Sequence, residues 1–551
     1  MRDIINRLIG SRRSNNMFRM TLVVCMILLV SVFMLQACSG GGGSGTTPMG
    51  SAQISLTDAP GDFDHVWITV KEVWFHRSDA AGPNDPGWLR YPLAAPATVD
   101  LLTLDGKVGS AIWGNITLPA GNYQKIRLFL EPTYDSSLPS GTYHNYVIIG
   151  HNTYPLRIPD VSHGIRLSVV FSITDGGMLR LAIDFDAGHD VIDLGNGEYV
   201  LKPRLAYFDL DNAGAIVGQI DLASAPSGTA HFVVKAERLN DPVSPAYYVV
   251  KRYTVVSIPS TTTTGTFILY PVPAAMTTSY DILIRGIGYE TTIIRGVPVS
   301  RGSTPTNNET TVPVISMTTG TDYSASGSIT SPTGAWVNFY QTLDPSVTLT
   351  APEYPYEVRY RHFNPLTGTF ANYALSNSQL QFGTYSASSI SMVSVTPQEG
   401  VGAYQASAGA LLYDRTALPG VGSPNITFLS PTVTFGTLTS KSGMVNSISG
   451  TINISHTPPA DVSQLTKGYV FAVHGGMIVN SVDIGTTMSG GGGAYAIPNL
   501  ASGFAGVFYG VEAIGWDPLD LSIRAIAFPP GFVNLSSGSN ATGVTMNMFE
   551  F

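Results

Sequence analysis

The sequence predicts an all-β protein: tandem β-sandwich modules behind an exported N-terminus. Three observations carry this reading. Apolar and polar residues alternate with period two along most of the chain. A glycine-centred phrase returns at domain-sized intervals. Charged residues make up only 12% of a chain that holds 58 glycines and 44% apolar residues, which suits extracellular β proteins and argues against global disorder.

The N-terminus comes first. Arg2, Arg7, Arg12, Arg13 and Arg19 stand against Asp3 alone. An apolar stretch of about 15 residues follows, from Thr21 to Leu35, short for a membrane span of roughly 20. It ends in Leu35-Gln36-Ala37-Cys38, and a glycine-serine tether runs from Ser39 to Gly45. This layout resembles a bacterial lipoprotein signal. The resemblance implies cleavage before Cys38, acylation of its thiol and amine, and stable anchoring by several chains where one gives marginal binding. A plain signal peptide or an N-terminal membrane helix is the alternative. Arg12-Arg13 lacks the Phe-Leu of a twin-arginine signal. Ser39 after the cysteine resembles the enteric preference for the outer membrane.

Cys25 lies in the apolar stretch and Cys38 is the acylation candidate, so a mature chain has no thiol for a disulfide or a thiolate metal site. Its modules must stand on their cores. The net charge is −9; residues 1–37 contribute five arginines and one aspartate, +4, which leaves −13 for the rest. Such an acidic chain is a poor partner for nucleic acid.

Strands follow in order. Val66, Ile68 and Val70 share one face; so do Ile126, Leu128 and Leu130. Ile165, Leu167, Val169, Phe171 and Ile173 form another face, as do Leu179, Leu181, Ile183 and Phe185. They predict half-buried antiparallel strands. Turn signals such as Pro119-Ala120-Gly121-Asn122 separate them, and the Val99 to Val108 region predicts a short helical or looped insertion.

The repeated phrase reads Ile216-Val217-Gly218-Gln219-Ile220, then Ala325-Ser326-Gly327-Ser328-Ile329, then Ile448-Ser449-Gly450-Thr451-Ile452. Its glycines lie 109 and 123 residues apart, near the length of one sandwich. The expected organisation is a signal peptide at 1–37 and a lipidated cysteine with its tether at 38–50. Sandwich-like units follow at 51–210, 214–317, 322–440 and 444–551; about 510 residues beyond the signal peptide suit three to four domains.

Residues from about 50 to 209 resemble a family of bacterial exported proteins known as domain of unknown function 4382. The carrying pieces are Ser55-Leu56-Thr57-Asp58-Ala59-Pro60 with Val66-Trp67-Ile68-Thr69-Val70, Val99-Asp100-Leu101-Leu102, Leu118-Pro119-Ala120-Gly121-Asn122-Tyr123, and Leu181-Ala182-Ile183-Asp184-Phe185-Asp186. The resemblance implies a β-sandwich-like exported module and no activity. Residues 214–316 resemble transthyretin-like regulatory domains found beside carboxypeptidases, through Gly218-Gln219-Ile220, Gly265-Thr266-Phe267-Ile268 and Tyr280-Asp281-Ile282-Leu283-Ile284. The last unit repeats the scheme with Gly493-Ala494-Tyr495-Ala496-Ile497. The middle unit shares little beyond its opening phrase. Such modules imply spacer, folding or carbohydrate-binding-like roles.

Candidate chemistry is sparse. Asp184 and Asp186 project from one strand face, and Asp58, Asp62 and Asp64 read as a loop before a strand. Together they are the candidate calcium ligands, since calcium takes six to eight hard oxygens. No Asp-x-Asp-x-Asp-Gly loop is present, and carboxylates on a solvated face or turn are the plainer reading. The same pair read as glycosidase carboxylates lacks a sugar cleft. His474-Gly475-Gly476 could be an oxyanion strand, but no Gly-x-Ser-x-Gly elbow accompanies it; a hairpin turn is expected. His151, His163 and His189 lack zinc spacing. Ser489 to Gly493 lacks a phosphate-loop lysine. Trp67, Trp74 and Trp88 could stack on sugars or on neighbouring side chains.

The expected function is non-catalytic: a lipid-anchored envelope protein, structural, adhesive or ligand-binding. A carbohydrate-binding surface protein and a hydrolase with an unrecognised site are the alternatives. The expected partners are the membrane, through the lipid anchor, and a glycan or an envelope or extracellular protein.

Overall fold

The computed structural model describes residues 47–551 apart from 59–62, 83, 136–137, 140, 160, 195–196, 198, 204, 241–244, 276–277, 349–351, 417–421, 456–464, 489–490, 518–523, 528–530 and 551. Cys38, Asp62 and the start of the Ser489 to Gly493 run therefore lie outside the described residues. Residues 49–551 form one compact all-β unit.

The alternation reads out as expected in the first sandwich. In the strand His65–His76, Val66, Ile68 and Val70 are buried; in Ile165–Ile173 burial alternates residue by residue. One sheet runs Ala206–Asp209, Met178–Phe185, Met49–Asp58, Trp113–Pro119. The facing sheet is built around His65–His76, Gly121–Leu130 and Ile165–Ile173. Val99 to Val108 holds a single 3-10 turn, Leu101–Leu104, capped by Asp100, whose side chain accepts from the Leu102 amide.

The expectation of purely antiparallel strands is corrected. Met49–Asp58 pairs in parallel with Met178–Phe185, with Ile54 opposite Leu181. The same arrangement recurs in each later unit: Ala213–Leu222 lies parallel to Thr310–Met317, Asp322–Ser331 to Thr432–Thr437, and Val445–Ser455 to Met546–Glu550. Each opening strand thus sits between a late parallel partner and an antiparallel one. Buried on both edges, it needs no protection of its own.

The repeated glycines have a physical reason in this arrangement. Gly218 pairs with Phe267, Gly327 with Phe370 and Gly450 with Tyr495 on the antiparallel strand. A Cβ on Gly218 or Gly327 would lie 2.4 Å from the facing phenyl ring, and one on Gly450 would lie 1.8 Å from the Val544 carbonyl oxygen. Only glycine lets ring or backbone approach so closely. The middle unit carries the same device as Gly368-Thr369-Phe370, a signal the sequence reading missed.

The middle unit also supplies strands to its neighbour. Leu380–Thr384 pairs in parallel with Thr291–Val299, with Phe382 opposite Ile293, and Val393–Val395 extends that sheet. Leu283 and Ile293 of the second unit pack into the core shared by the third and fourth. Strand addition joins two sheets through backbone hydrogen bonds, so the second and third units are interlocked rather than strung in series.

Candidate binding site: two charged faces and a cleft

The first sandwich presents acids from one sheet. Asp58 is not a loop residue; it ends the strand Met49–Asp58 and is fully buried. Asp184 and Asp186 do not face water either. The second sandwich covers them with its edge strand Tyr248–Ile258. A bulge opposite Ala236 and Glu237, with Arg252 and Val250 as their partners, re-aims that strand. Arg252 pairs with Asp184 and donates to Thr57 Oγ1 at 3.0 Å and to the Asp58 carbonyl at 2.7 Å. The Tyr253 hydroxyl donates to Asp186, and Thr254 Oγ1 donates to Asp105 Oδ1 at 2.5 Å.

Burial dominates the ionisation here. It pushes Asp184 up to about 6 despite the opposing charge of Arg252. It holds Asp58 well above the usual carboxylate range, partly countered by the Ala187 amide donating to Asp58 Oδ1 at 3.0 Å. Burial and the Asp186 carboxylate likewise push the Tyr253 phenol up. Asp64 stands apart and accepts from the Gly150 amide at 2.7 Å. No group of three or more His, Cys, Asp or Glu is arranged to hold a metal ion among the described residues. The guanidinium of Arg252 stands where a cation would.

The other sheet presents bases to the fourth unit, whose described strands form one continuous eight-stranded sheet rather than the two facing sheets expected of a sandwich. Lys125 and Arg127 alternate with Ile126 and Leu128, and all four are buried. Half-burial was expected here; a neighbouring module covers the second face. Lys125 Nζ donates to the Ala81 carbonyl at 2.7 Å and Arg127 Nη1 to the His163 carbonyl at 2.6 Å. His474 ends the strand Lys467–His474, and Gly475-Gly476, both at positive φ, make the expected hairpin turn. His474 Nδ1 donates to the Phe508 carbonyl at 2.7 Å, and its Nε2 accepts from Arg166 Nη1 at 3.4 Å. Burial and the neighbouring cations push His474 down to about 4, and burial holds Lys125 at about 7. A neutral, enclosed imidazole of this kind is a structural contact. Nearby, Arg157 Nη1 lies 3.6 Å from Glu512 Oε2, both side chains deeply buried.

The other histidines and the tryptophans are similarly engaged. His163 packs on Phe532 with ring centroids 3.6 Å apart, and His151 occupies a positive-φ turn. The His189 side chain lies outside the described residues. Trp67 stacks on Tyr146, Trp74 lies on Phe129 with the Arg90 guanidinium 3.9 Å above it, and Trp88 sits against His76. Each makes the neighbour contacts of the plainer reading.

A cleft of about 660 Å³ opens between the first and third sandwiches. Phe63, Asp193 and Tyr199 line one wall; Arg359, Arg361 and Tyr373 line the other. The two arginines stand two apart on the strand Tyr356–His362, and their guanidiniums lie 4.6 and 5.6 Å from the Tyr373 ring centre. Neither has a carboxylate within ion-pair distance among the described residues, and Arg359 Nε is buried without a hydrogen-bond partner. The sequence reading passed over this site. Its signal was the basic-aromatic run Arg359-Tyr360-Arg361-His362 in an acidic chain.

No curated protein matches the chain. Solved structures with some likeness include the TIE protein of Bacillus anthracis, 8% identical over 92% of this chain and 76% of that one, TM-score 0.12. Two B repeat units of the collagen-binding protein of Staphylococcus aureus are 10% identical over 92% of this chain and 99% of that one, TM-score 0.13. A pilus adhesin of Lactobacillus rhamnosus GG is 9% identical over 88% of this chain and 55% of that one, TM-score 0.12. Superpositions this poor carry no argument about fold or function. Within the sequence, residues 49–203 match the family model described as Domain of unknown function (DUF4382), a span that takes in the acidic face and most of the first sandwich.

Proposed function

We propose that this protein is a non-catalytic, lipid-anchored component of the cell envelope with a structural or adhesive role. One observation carries the reading. The ionisable side chains that chemistry would need are engaged between sandwiches: Asp184 with Arg252, Arg285 with Asp322, Arg157 beside Glu512. Arg295 likewise grips Glu353 through two hydrogen bonds, at 3.1 and 2.7 Å. Such contacts, with the strand shared by the second and third units, favour a stiff body suited to bearing load or presenting a surface. Cys38 supplies the anchor in this reading and the Ser39 to Gly45 tether the reach.

Two experiments test it. Cys38→Ala should abolish acyl labelling and move the protein out of the membrane fraction; unchanged partitioning rules out the anchor. A screen of ester, peptide and glycoside substrates should find no turnover. Turnover that a single carboxylate or histidine substitution removes rules out the non-catalytic role.

A further inference from the structure

We propose that the cleft between the first and third sandwiches binds an anionic saccharide, with Arg359 and Arg361 receiving its carboxylate or sulfate groups. This goes beyond the scaffold role and does not depend on the anchor. The argument begins with what the two arginines lack. The chain carries 38 acidic side chains against 29 basic ones, and the buried Arg252 and Arg285 both have carboxylate partners. Arg359 and Arg361 have none among the described residues; each lies over the Tyr373 ring. The half-buried Arg359, its Nε buried without a hydrogen-bond partner, and the exposed Arg361 put two positive charges over one ring on the cleft wall, and an anion entering the cleft would meet both. A guanidinium fork matches carboxylate and sulfate geometry.

The rest of the cleft selects for a sugar over a bare ion. About 660 Å³ lies well within the range of small-molecule sites and far exceeds one inorganic anion. Phe63 and Tyr199 meet edge to face on the opposite wall, ring centres 6.1 Å apart, and offer apolar surface to a pyranose face. Asn364, Thr367 and Thr369 line the same space with amide and hydroxyl groups able to serve ring hydroxyls. Asp193, the acid in the lining, is held by the Tyr199 hydroxyl. The overall acidity of the chain disfavours a polynucleotide.

The test is calorimetric titration of the full chain in non-ionic detergent. The probes are tetragalacturonate, a sulfated disaccharide, a neutral oligosaccharide of the same length and a single-stranded oligonucleotide. Saturable binding of either anionic saccharide is expected, with the neutral one at least about tenfold weaker. Arg361→Gln, on an exposed strand position, should weaken that binding by about tenfold, the loss of one charge-assisted contact, and Arg359→Gln should do the same. An unchanged thermal midpoint for Arg361→Gln shows that the fold is intact. Equal binding of charged and neutral saccharides, no binding of either anionic one, or displacement of the saccharide by the oligonucleotide overturns the proposal. Carboxylated and sulfated probes separate the two sources of charge.

Discussion

The two outer faces of the first sandwich bury charge in opposite ways. Its acidic face takes donors from the next module at Asp184, Asp186 and Asp105: Arg252, Tyr253 and Thr254 all belong to the second unit. Its basic face, with Lys125 and Arg127, finds backbone carbonyls within its own module, those of Ala81 and His163. The difference follows from hydrogen-bond capacity. An ionised carboxylate only accepts, and most nearby backbone N–H groups in a sheet are already committed to the ladder. An ammonium or guanidinium only donates, and each carbonyl keeps a spare lone pair. On these two faces, Asp184 and Asp186 therefore reach across a boundary for partners, while Lys125 and Arg127 bond carbonyls of their own module. The acidic face should depend more heavily on its neighbour.

The largest expected effect is at Arg252. Arg252→Ala strips the acidic face of its cation and leaves buried carboxylates uncompensated, at a cost of about 3–5 kcal/mol. Equilibrium denaturation should show this as a large drop in midpoint. A loss below about 1 kcal/mol, the worth of an ordinary hydrogen bond, would break the comparison.

The basic face should respond chiefly to pH. His474 has a folded pKa of about 4, below its ordinary value near 6.5. The neutral ring therefore contributes stability that is present above pH 6.5 and lost as pH falls towards 4, roughly 3 kcal/mol in all. His474→Gln should remove that acid-side loss while changing stability little at pH 7.5. Denaturation series at pH 7.5 and 4.5 on both proteins measure it, and an undiminished acid loss in the variant would assign the effect elsewhere.

The smallest effect sharpens the same boundary. Thr254→Val deletes one hydroxyl donated to Asp105, whose carboxyl burial already pushes up. The expected loss is about 1 kcal/mol. It should shrink in the Arg252→Ala background if the acidic face acts as one network, which a double-mutant cycle reads directly.

Much of this fold was legible beforehand. Alternation located the strands at Val66 to Val70 and Ile165 to Ile173, and the glycine phrases marked three opening strands. The charged faces were not legible. Asp184 and Asp186 alternate with Ile183 and Phe185 in the same way whether their side of the sheet meets water or another sandwich. Lys125 and Arg127 are equally silent about His474, far along the chain. The cleft stayed hidden for the same reason: Arg359 and Phe63 belong to different modules.

The sequence by itself determined an all-β chain, its strand faces and its repeated glycines, because each of these depends on side-chain period and residue type over a few neighbours. Only the tertiary structure decided that the second and third units share a sheet through Leu380–Thr384, that Asp184 meets Arg252, and that two arginines face an open cleft with no carboxylate partner among the described residues. A strand's hydrogen-bonding edge is the same for every sequence, and a charge carries no mark of the partner it will find. Both choices are made when distant segments pack.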